Sequence, residues 1–165
     1  MKRGLDVLDK ALIGTLYDNG RLAASDIAAR LGISTPTVRG RLRQLVAAGV
    51  LRIAAVVNAS ETPELTIAII GLSLERYNLD EMVERMAALD EVSWAAVVTG
   101  RYDIIAEVVS TEGMNGLYDF LNASLQKLGG IQSSEVFVVM KASHKWMLLP
   151  RAMTQSWTKA NGGGA

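Results

Sequence analysis

The stretch WAAVVTGRYDIIAEVV, residues 94–109, places three chemically capable side chains between two apolar runs. Gly100 and Arg101 suit the centre of a two-residue type II′ turn, which Thr99 and Tyr102 would flank. That turn explains the glycine but leaves Tyr102 and Asp103 without a structural reason. A carboxylate accepts hydrogen bonds from a cationic group, whereas a guanidinium and turn N–H groups donate to an anionic one. The alternative is that Asp103 only hydrogen-bonds the loop backbone, an ordinary use of aspartate in turns.

A second group of such side chains lies in ISTPTVRGRLRQL, residues 33–45. It contains no acidic residue and combines three arginines with three hydroxyl residues at its N-terminal end: Arg39, Arg41, Arg43, Ser34, Thr35 and Thr37. Hydroxyls and free N–H groups at the start of a helix bind phosphate oxygens as well as base edges. Arginines at alternate positions spread over more than one helical face, so at least one of them is expected to be only a solvated side chain.

The first part of the chain predicts three helices. Apolar residues at three- and four-residue spacing form one face of the first helix: Leu5, Leu8, Leu12 and Leu16. Gly20 is predicted to stop this helix after Asn19. Ser25 is the predicted N-cap of a short second helix that ends at Gly32. Ser34 or Thr35 caps the third helix, and Pro36 fits its first turn.

A short helix, a Gly-Ile-Ser turn and a second helix form the helix-turn-helix arrangement. In that motif the second helix enters the major groove of double-stranded DNA with its N-terminal end. The following LRIAAVV, residues 51–57, has strand character and is predicted to supply a small β-wing. The sequence therefore predicts a winged helix-turn-helix DNA-binding domain over residues 1–57.

Strand-like and helical runs alternate in the second part of the chain. The strand-like runs are LTIAIIGLSL, EVSWAAVVT, YDIIAEVV and SSEVFVVMKA, and the helical runs are NLDEMVERMAAL and TEGMNGLYDFLNASLQKLGG. Their order is βαββαβ, the ferredoxin-like pattern of a four-stranded antiparallel sheet with both helices on one face. The strands are too apolar to leave the other face in water, so a partner subunit is expected to cover it. The predicted fold class is α+β.

The zero formal net charge of the 165 residues hides two oppositely charged halves. Residues 1–57 carry nine basic and four acidic side chains, whereas the remainder carries eight and thirteen, so only the first half favours a polyanion. Polar residues and a proline predict a linker over residues 58–63. The second domain is then expected over residues 64–150, followed by a disordered tail over residues 151–165.

No residue pattern predicts catalysis, a metal or a cofactor. Cysteine is absent and His144 is the only histidine, so neither a thiolate site nor a two-histidine metal site is expected. We interpret His144 as a surface or interface residue, and Trp94, Trp146 and Trp157 as core, interface and tail residues. The charged N-terminus lacks an apolar export segment and no apolar run approaches 18 residues, which favours a cytoplasmic protein.

Three stretches resemble the Lrp/AsnC, or feast/famine, family of bacterial and archaeal transcription regulators. They are LDVLDKALIGTL in the first helix, RLAASDIAARLGISTPTVRGRLRQLVAAGVL through the helix-turn-helix, and TGRYDIIAEVVS in the second domain. The resemblance extends from residue 5 to about residue 149. The sequence departs from the family in NASETPEL, which lacks the glycine that commonly precedes the first sheet strand.

The resemblance implies a transcriptional regulator that binds double-stranded DNA, dimerises through its sheet and assembles further, often to octamers. It also implies an amino acid or related metabolite as effector, bound between dimers at the GRYD loop. Asp103 would then accept from the effector's ammonium, and Arg101 and turn N–H groups would donate to its carboxylate. In the family this loop faces the segment before the last strand of a neighbouring subunit. The candidate effector-binding residues are therefore Thr99, Gly100, Arg101, Tyr102, Asp103, Gln132, Ser133 and Ser134. The alternatives are an enzyme on the same scaffold, such as a siroheme decarboxylase, and an effector-independent DNA-architectural protein.

Overall fold

Three helices form the first of two units. The computed structural model describes residues 4–75, 78–150 and 153–154, and the chain divides into the two units between Ala55 and Val56. The helices of the first unit are α1 (Val7–Leu16), α2 (Ala24–Leu31) and α3 (Thr35–Ala47).

Helix α1 begins at a reciprocal cap formed by two aspartates. Asp6 accepts a hydrogen bond from the Asp9 N–H at 2.8 Å, and Asp9 accepts one from the Asp6 N–H at 3.3 Å. The cap thus satisfies two backbone donors that have no partner within the helix. The helix ends at Leu16, earlier than the predicted end at Asn19, and Leu5 lies before it with 38% of its surface exposed. Leu5 is therefore not the core residue that its spacing suggested.

Helix α2 starts differently from the prediction. Its N-cap is Ala23, which makes no side-chain cap hydrogen bond, so the prediction of Ser25 as the cap is wrong. Ser25 lies inside the helix, and its hydroxyl contacts the neighbouring Asp26 carboxylate. Gly32 ends the helix with a φ of 65°, a left-handed conformation that glycine adopts without a steric penalty.

The apolar faces of the three helices meet in one core. Its buried residues come from all three helices: Leu12, Leu16, Ile27, Ala28 and Val38. Partly buried side chains, among them Leu8, Leu31 and Leu42, pack around them. Helical periodicity predicted this core well, because the three-to-four-residue spacing of large apolar residues determines which face is buried.

The segment after α3 differs from the predicted wing. Residues 51–56 form no strand. The next strand, β1 (Val57–Asn58), pairs within the second unit with β6 (Trp146–Met147). Residues 58–63, predicted to be a linker, consequently belong to the second unit, where a short 3-10 helix follows β1. The strand propensity of this segment is thus used only at its end, where Val57 pairs with Met147, about ninety residues further along the sequence.

A four-stranded antiparallel sheet organises the second unit. Its elements are β2 (Thr66–Leu74), α4 (Leu79–Ala87), β3 (Val92–Val97), β4 (Ile104–Ser110), α5 (Gly113–Asp119) and β5 (Ile131–Val138). The strand order across the sheet is β3-β4-β2-β5. The predicted βαββαβ order is therefore confirmed.

The helix predicted over residues 111–130 changes its winding twice. A π-helical turn, Phe120–Ser124, follows α5, and a 3-10 turn, Gln126–Leu128, follows that. Gly129 has a φ of 62° and ends the segment, as the Gly-Gly pair predicts. Phe120 and Leu128 are both buried in the core of this unit.

Both helices cover the same face of the sheet. The core between them contains alternate strand residues, such as Ala68, Ile70 and Leu72, packed on helix residues such as Met82 and Phe120. Because side chains alternate between the two faces of a strand, the intervening residues of β2 point to the other side.

That other side, which we call the open face, is only partly covered. A segment that includes β6 and Met153 packs over Ile67 and Val109 at one end. On the rest of this face, one row of side chains runs across the four strands from β3 to β5. The strand registers give its members as Trp94, Glu107, Ile69 and Phe137. Trp94 and Phe137 are 43% and 47% exposed, so Trp94 is not the core residue that we expected.

Two of the remaining expectations concern the end of the chain. Trp146 lies in β6 and is exposed, whereas Trp157 and most of the predicted disordered tail lie outside the described residues. Within the tail, Met153 and Thr154 are helical, and Met153 is buried. None of the described helices is long and apolar enough to cross a membrane.

Candidate functional site

The N-terminal end of α3 is closed by hydroxyl groups. Ser34 is its N-cap and accepts a hydrogen bond from the Thr37 N–H at 3.3 Å, which decides between Ser34 and Thr35. The Ser34 and Thr37 hydroxyls also lie 2.7 Å apart, within hydrogen-bonding distance. Both side chains are exposed, and Thr35 is half-buried. A helix end with free N–H groups and exposed hydroxyls is suited to bind phosphate or base edges.

The three arginines of α3 divide into two groups. Arg39 and Arg43 are exposed, and their four-residue spacing places them on one face of the helix. Arg41 is two residues from each, about 200° around the helix. Its guanidinium Nη1 forms an ion pair with Asp6 and lies 3.2 Å from Oδ1 of Asp9. This placement argues against a direct DNA contact by Arg41.

The GRYD loop is wider than the predicted two-residue turn. Strand pairing stops at Val97 and Ile104, and the Val98 N–H donates to the Asp103 carbonyl at 3.0 Å. Gly100 has a φ of 134°, a conformation available to glycine. The loop is fastened to β2 as well as to β3, which explains why it does not close as a tight hairpin.

Asp103 makes that attachment to β2. Its N–H donates to the Leu72 carbonyl at 2.8 Å, and its Oδ2 accepts from the Leu74 N–H at 2.8 Å. The Ser73 hydroxyl, between them, donates to the Arg101 carbonyl at 3.5 Å. The Asp103 carboxylate is thus engaged with the main chain of a neighbouring strand, a variant of the structural role considered for it.

Tyr102 lies flat across the sheet and reaches β5. Its hydroxyl donates to the carboxylate of Glu135, and its ring meets Phe137 edge-on with centroids 6.5 Å apart. The ring passes over Gly71, where a Cβ would lie only 2.6 Å from ring atoms. The hydrogen bond to Glu135, with burial, raises the pKa of Tyr102 above its ordinary value.

Arg101 completes this group of side chains. Its guanidinium lies 3.3 Å from the Glu135 carboxylate and 5.6 Å from the centre of the Tyr102 ring. The group therefore combines a cation, a carboxylate and a phenol within mutual contact at the surface. We missed Glu135 in the sequence. The signal for it was Gly71, because a glycine inside an apolar strand marks a close approach by another group.

The candidates of the last strand lie beside this group on the same sheet edge. Gln132, Ser133 and Ser134 line a surface pocket of about 350 Å³ whose other walls include Leu121 and Leu125. In the strand register Ser133 is paired with Ser73, whose hydroxyl contacts the GRYD loop. One chain thus brings the two candidate segments to neighbouring positions. The Thr99 side chain makes no hydrogen bond or ion pair among the described residues.

A buried carboxylate was also missed. Glu107, in β4 at the centre of the open face, is 1% exposed. It forms an ion pair with Lys145 and accepts a hydrogen bond from the Ser93 hydroxyl at 2.6 Å. An acidic residue in an otherwise apolar strand is the signal for such a paired charge.

His144 is exposed and has a φ of 55°, in the left-handed region. Within the described ranges, no group of three acidic, histidine or cysteine side chains is arranged to hold a metal ion. Its exposure places His144 at the surface, one of the two interpretations made from the sequence.

Comparison with known proteins agrees with both halves of this architecture. Residues 5–52 match the winged helix-turn-helix DNA-binding family, and residues 67–146 match the Lrp/AsnC ligand binding domain. The chain is 33% identical over 143 residues to a helix-turn-helix-type transcriptional regulator of Pyrococcus furiosus, covering 86% of this chain and 95% of that protein. It is 27% identical to the regulatory protein AsnC of Escherichia coli, covering 83% and 91%.

Solved structures show the same fold. The structure of Escherichia coli AsnC superimposes with a TM-score of 0.68 at 24% identity, covering 90% of this chain and all of that one. A transcriptional regulator of Neisseria meningitidis, solved as a complex with L-Met, has a TM-score of 0.68 at 26% identity and covers 92% and 99%. The class is thus a transcriptional regulator with a DNA-binding helix-turn-helix domain and a separate ligand-binding domain. The chain belongs to the Lrp/AsnC family.

Proposed function

We propose that this protein is a sequence-specific, cytoplasmic DNA-binding regulator whose operator affinity and assembly respond to an amino acid or a related small metabolite. The observation that carries the proposal is the two-sided character of α3. One side buries Val38 and Leu45, while the N-terminal hydroxyls and the Arg39–Arg43 face remain exposed. That combination serves double-stranded DNA, because hydroxyls and N–H groups position the helix end and arginines neutralise phosphates.

The DNA-binding part is tested by salt dependence. Each arginine that neutralises a phosphate contributes about one unit to the slope of log affinity against log salt concentration. Arg39→Ala and Arg43→Ala should each weaken binding and lower that slope by about one unit. Lys127→Ala, which removes an exposed cation of the second unit away from the proposed effector site, is the matched control and should leave the slope unchanged. Unaltered affinity and slope in both α3 variants would contradict the proposal.

The open face supports self-association as a dimer. Trp94 and Phe137 are exposed, and Ile69 and Ile105 are half-buried, on a sheet whose opposite face is already covered by helices. Aromatic side chains bury roughly 150–250 Å² each, and apolar burial contributes about 25 cal/mol per Å². A second copy of the chain fits this face in a two-fold arrangement, in which the same patch meets itself. Such a dimer would read near-palindromic half-sites about one helical turn apart. The proposal extends to higher homo-oligomers, octamers included.

Sedimentation velocity of the full chain tests the dimer. Phe137→Asp places a charge within the proposed interface and should shift the protein to monomer at micromolar concentration. Met140→Asp is the matched control, since Met140 is 91% exposed and lies beyond the end of β5. Equal sedimentation of Phe137→Asp and wild type would place the interface elsewhere.

The effector site is proposed at the Arg101–Tyr102–Glu135 group. Asp103 already accepts a hydrogen bond from the Leu74 N–H, so we propose that its role is to hold the loop in place. Glu135, whose side chain is 41% exposed, is the better acceptor for an ammonium group, and Arg101 is the donor for a carboxylate. Thr99 and Gly100 would supply backbone contacts, and Gln132, Ser133 and Ser134 would complete the site. The L-Met complex of the Neisseria meningitidis relative supports an amino acid as the ligand class.

Calorimetry with a panel of amino acids on the apo protein tests this assignment. Glu135→Gln removes the charge but preserves the shape, and should weaken binding of the responsive amino acid by about tenfold or more. Glu81→Gln, an exposed glutamate on α4, is the control and should bind normally. In the absence of the amino acid, the wild-type, Glu135→Gln and Glu81→Gln proteins should bind DNA with the same affinity. Equal affinity of the Glu135→Gln and wild-type proteins for the amino acid would show that the site lies elsewhere.

A further inference from the structure

A three-residue ionic cluster joins the third helix of the DNA-binding unit to the start of the first. Nη1 of Arg41 forms an ion pair with Asp6, the N-cap of α1, and lies 3.2 Å from Oδ1 of Asp9. Asp9 is 1% exposed, and the Arg41 side chain is 29% exposed. The two carboxylates also hold each other's backbone N–H groups in the reciprocal cap. Arg41 therefore contacts a part of α1 that is itself fixed.

The chemistry of the cluster favours a single geometry. A guanidinium is planar and donates through a rigid fork, so contact with two carboxylates fixes direction as well as distance. The Asp9 backbone N–H and the Arg41 guanidinium hold the pKa of Asp6 below its ordinary value. Hydrogen bonding to Asp6 raises the pKa of Arg41. Both groups are charged at neutral pH, as the ordinary pKa values of aspartate and arginine already require.

The position of Arg41 on α3 gives this geometry its significance. Arg39 and Arg43 lie on the face that is free for DNA, and Arg41 lies on the side turned toward α1. We propose that Arg41 is a positioning residue, which fixes the orientation of α3 relative to α1 and so determines DNA sequence preference without touching DNA. The inference rests on the proposed role of α3 in DNA recognition.

Comparing specific and non-specific binding tests this role. A duplex selected from a random library with the wild-type protein serves as the specific probe, and a scrambled duplex of the same composition serves as the non-specific one. Arg41→Ala should lower affinity for the selected duplex by about 5- to 100-fold, the range expected when one or two base contacts are misplaced. Affinity for the scrambled duplex should fall by less than about threefold, and the salt slope should stay within half a unit of wild type, since no phosphate contact is lost.

Asp6→Asn provides the sharper variant. Asparagine preserves the N-cap of α1 but removes one of the two carboxylate charges that contact Arg41. If Arg41 acts through Asp6, this variant should lose affinity for the selected duplex even though it removes a negative charge from the DNA-binding unit. Circular dichroism on both variants establishes that they remain folded, and Arg41→Lys should recover part of the lost preference because it restores one ion pair.

The opposite pattern would overturn the inference. It would consist of a salt slope reduced by about one unit in Arg41→Ala, as expected for a phosphate contact, together with unchanged or increased affinity of Asp6→Asn. Arg39→Ala distinguishes failure of the positioning role of Arg41 from failure of the assignment of α3 as the recognition helix. If that variant also leaves DNA binding unaffected, α3 is not the recognition helix, whereas a normal effect of Arg39→Ala with a phosphate-like effect of Arg41→Ala refutes only the positioning role.

Discussion

Replacing Gly71 by alanine forces a methyl group into space that the Tyr102 ring occupies. An ideal Cβ on Gly71 would lie 2.6 Å from Cγ and Cδ2 of the ring and 2.8 Å from Cδ1. Carbon atoms pack at about 3.5–4.0 Å, so the ring would have to retreat by about 1 Å. The crowded atoms are at the root of the ring, next to the main chain, and a simple rotation of the far end does not relieve them.

The displaced ring would lose its hydroxyl contact to Glu135 and its edge contact to Phe137. Overpacking of this kind costs about 1–3 kcal/mol. In the other direction, alanine is favoured over glycine inside a strand by about 0.5–1 kcal/mol. We therefore expect Gly71→Ala to lower the free energy of unfolding by about 1–2 kcal/mol.

A double-mutant cycle separates this clash from any other effect of the methyl group. Urea unfolding would be measured for wild type, Gly71→Ala, Tyr102→Ala and the double variant, all at one protein concentration because association contributes to apparent stability. Without the ring, alanine at position 71 should be neutral or stabilising, which gives a coupling of at least about 1 kcal/mol. An equal loss in both backgrounds would refute the packing of Tyr102 on Gly71.

Three further predictions concern other contacts. Lys145→Met should lower the free energy of unfolding of the second unit in urea by about 2–3 kcal/mol, because it leaves the buried Glu107 carboxylate without its cation. The expected loss is at the low end for a buried pair because Lys145 is partly solvated. Stability equal to wild type would contradict the ion pair. Because the pKa of Tyr102 is raised in the folded state, its contribution to stability is complete below about pH 10 and is lost as the pH rises through the folded pKa. Glu135→Gln should shift the spectrophotometric tyrosinate titration of Tyr102 to lower pH, and an unchanged titration would disprove the contact. Ser34→Ala should cost about 1 kcal/mol through loss of the α3 cap, whereas Ser34→Asp should retain stability yet weaken DNA binding by repelling phosphate.

Periodicity predicted most of the fold because it reports which faces are buried. The spacing of Leu8, Leu12 and Leu16 identified the core side of α1, and the alternating runs identified the four strands. Caps and turns were predicted less well, since they depend on single hydrogen bonds. Ser25 has the right chemistry for a cap, but α2 already begins at Ala24, so Ser25 lies inside the helix.

The candidate site shows the same limit at longer range. The sequence singled out Tyr102, but its partner Glu135 lies 33 residues away and only the strand register brings them together. Helical spacing alone would have separated Arg41 from Arg39 and Arg43, because two residues correspond to about 200° of rotation. The acidic partners of Arg41, Asp6 and Asp9, could not be predicted in this way, because only the packing of α1 on α3 brings them to it.

The pairing of β1 with β6 has a mechanical consequence. The chain enters the second unit at Val56, and the next residue, Val57, is the register partner of Met147. Tension applied at these two points would act on the same end of an antiparallel pair and separate its hydrogen bonds one after another, as a zipper opens. Strands of the four-stranded sheet would carry load only after this pair had parted. The two-residue strands should therefore separate at low force, while the fold that contains the Arg101–Tyr102–Glu135 group remains closed.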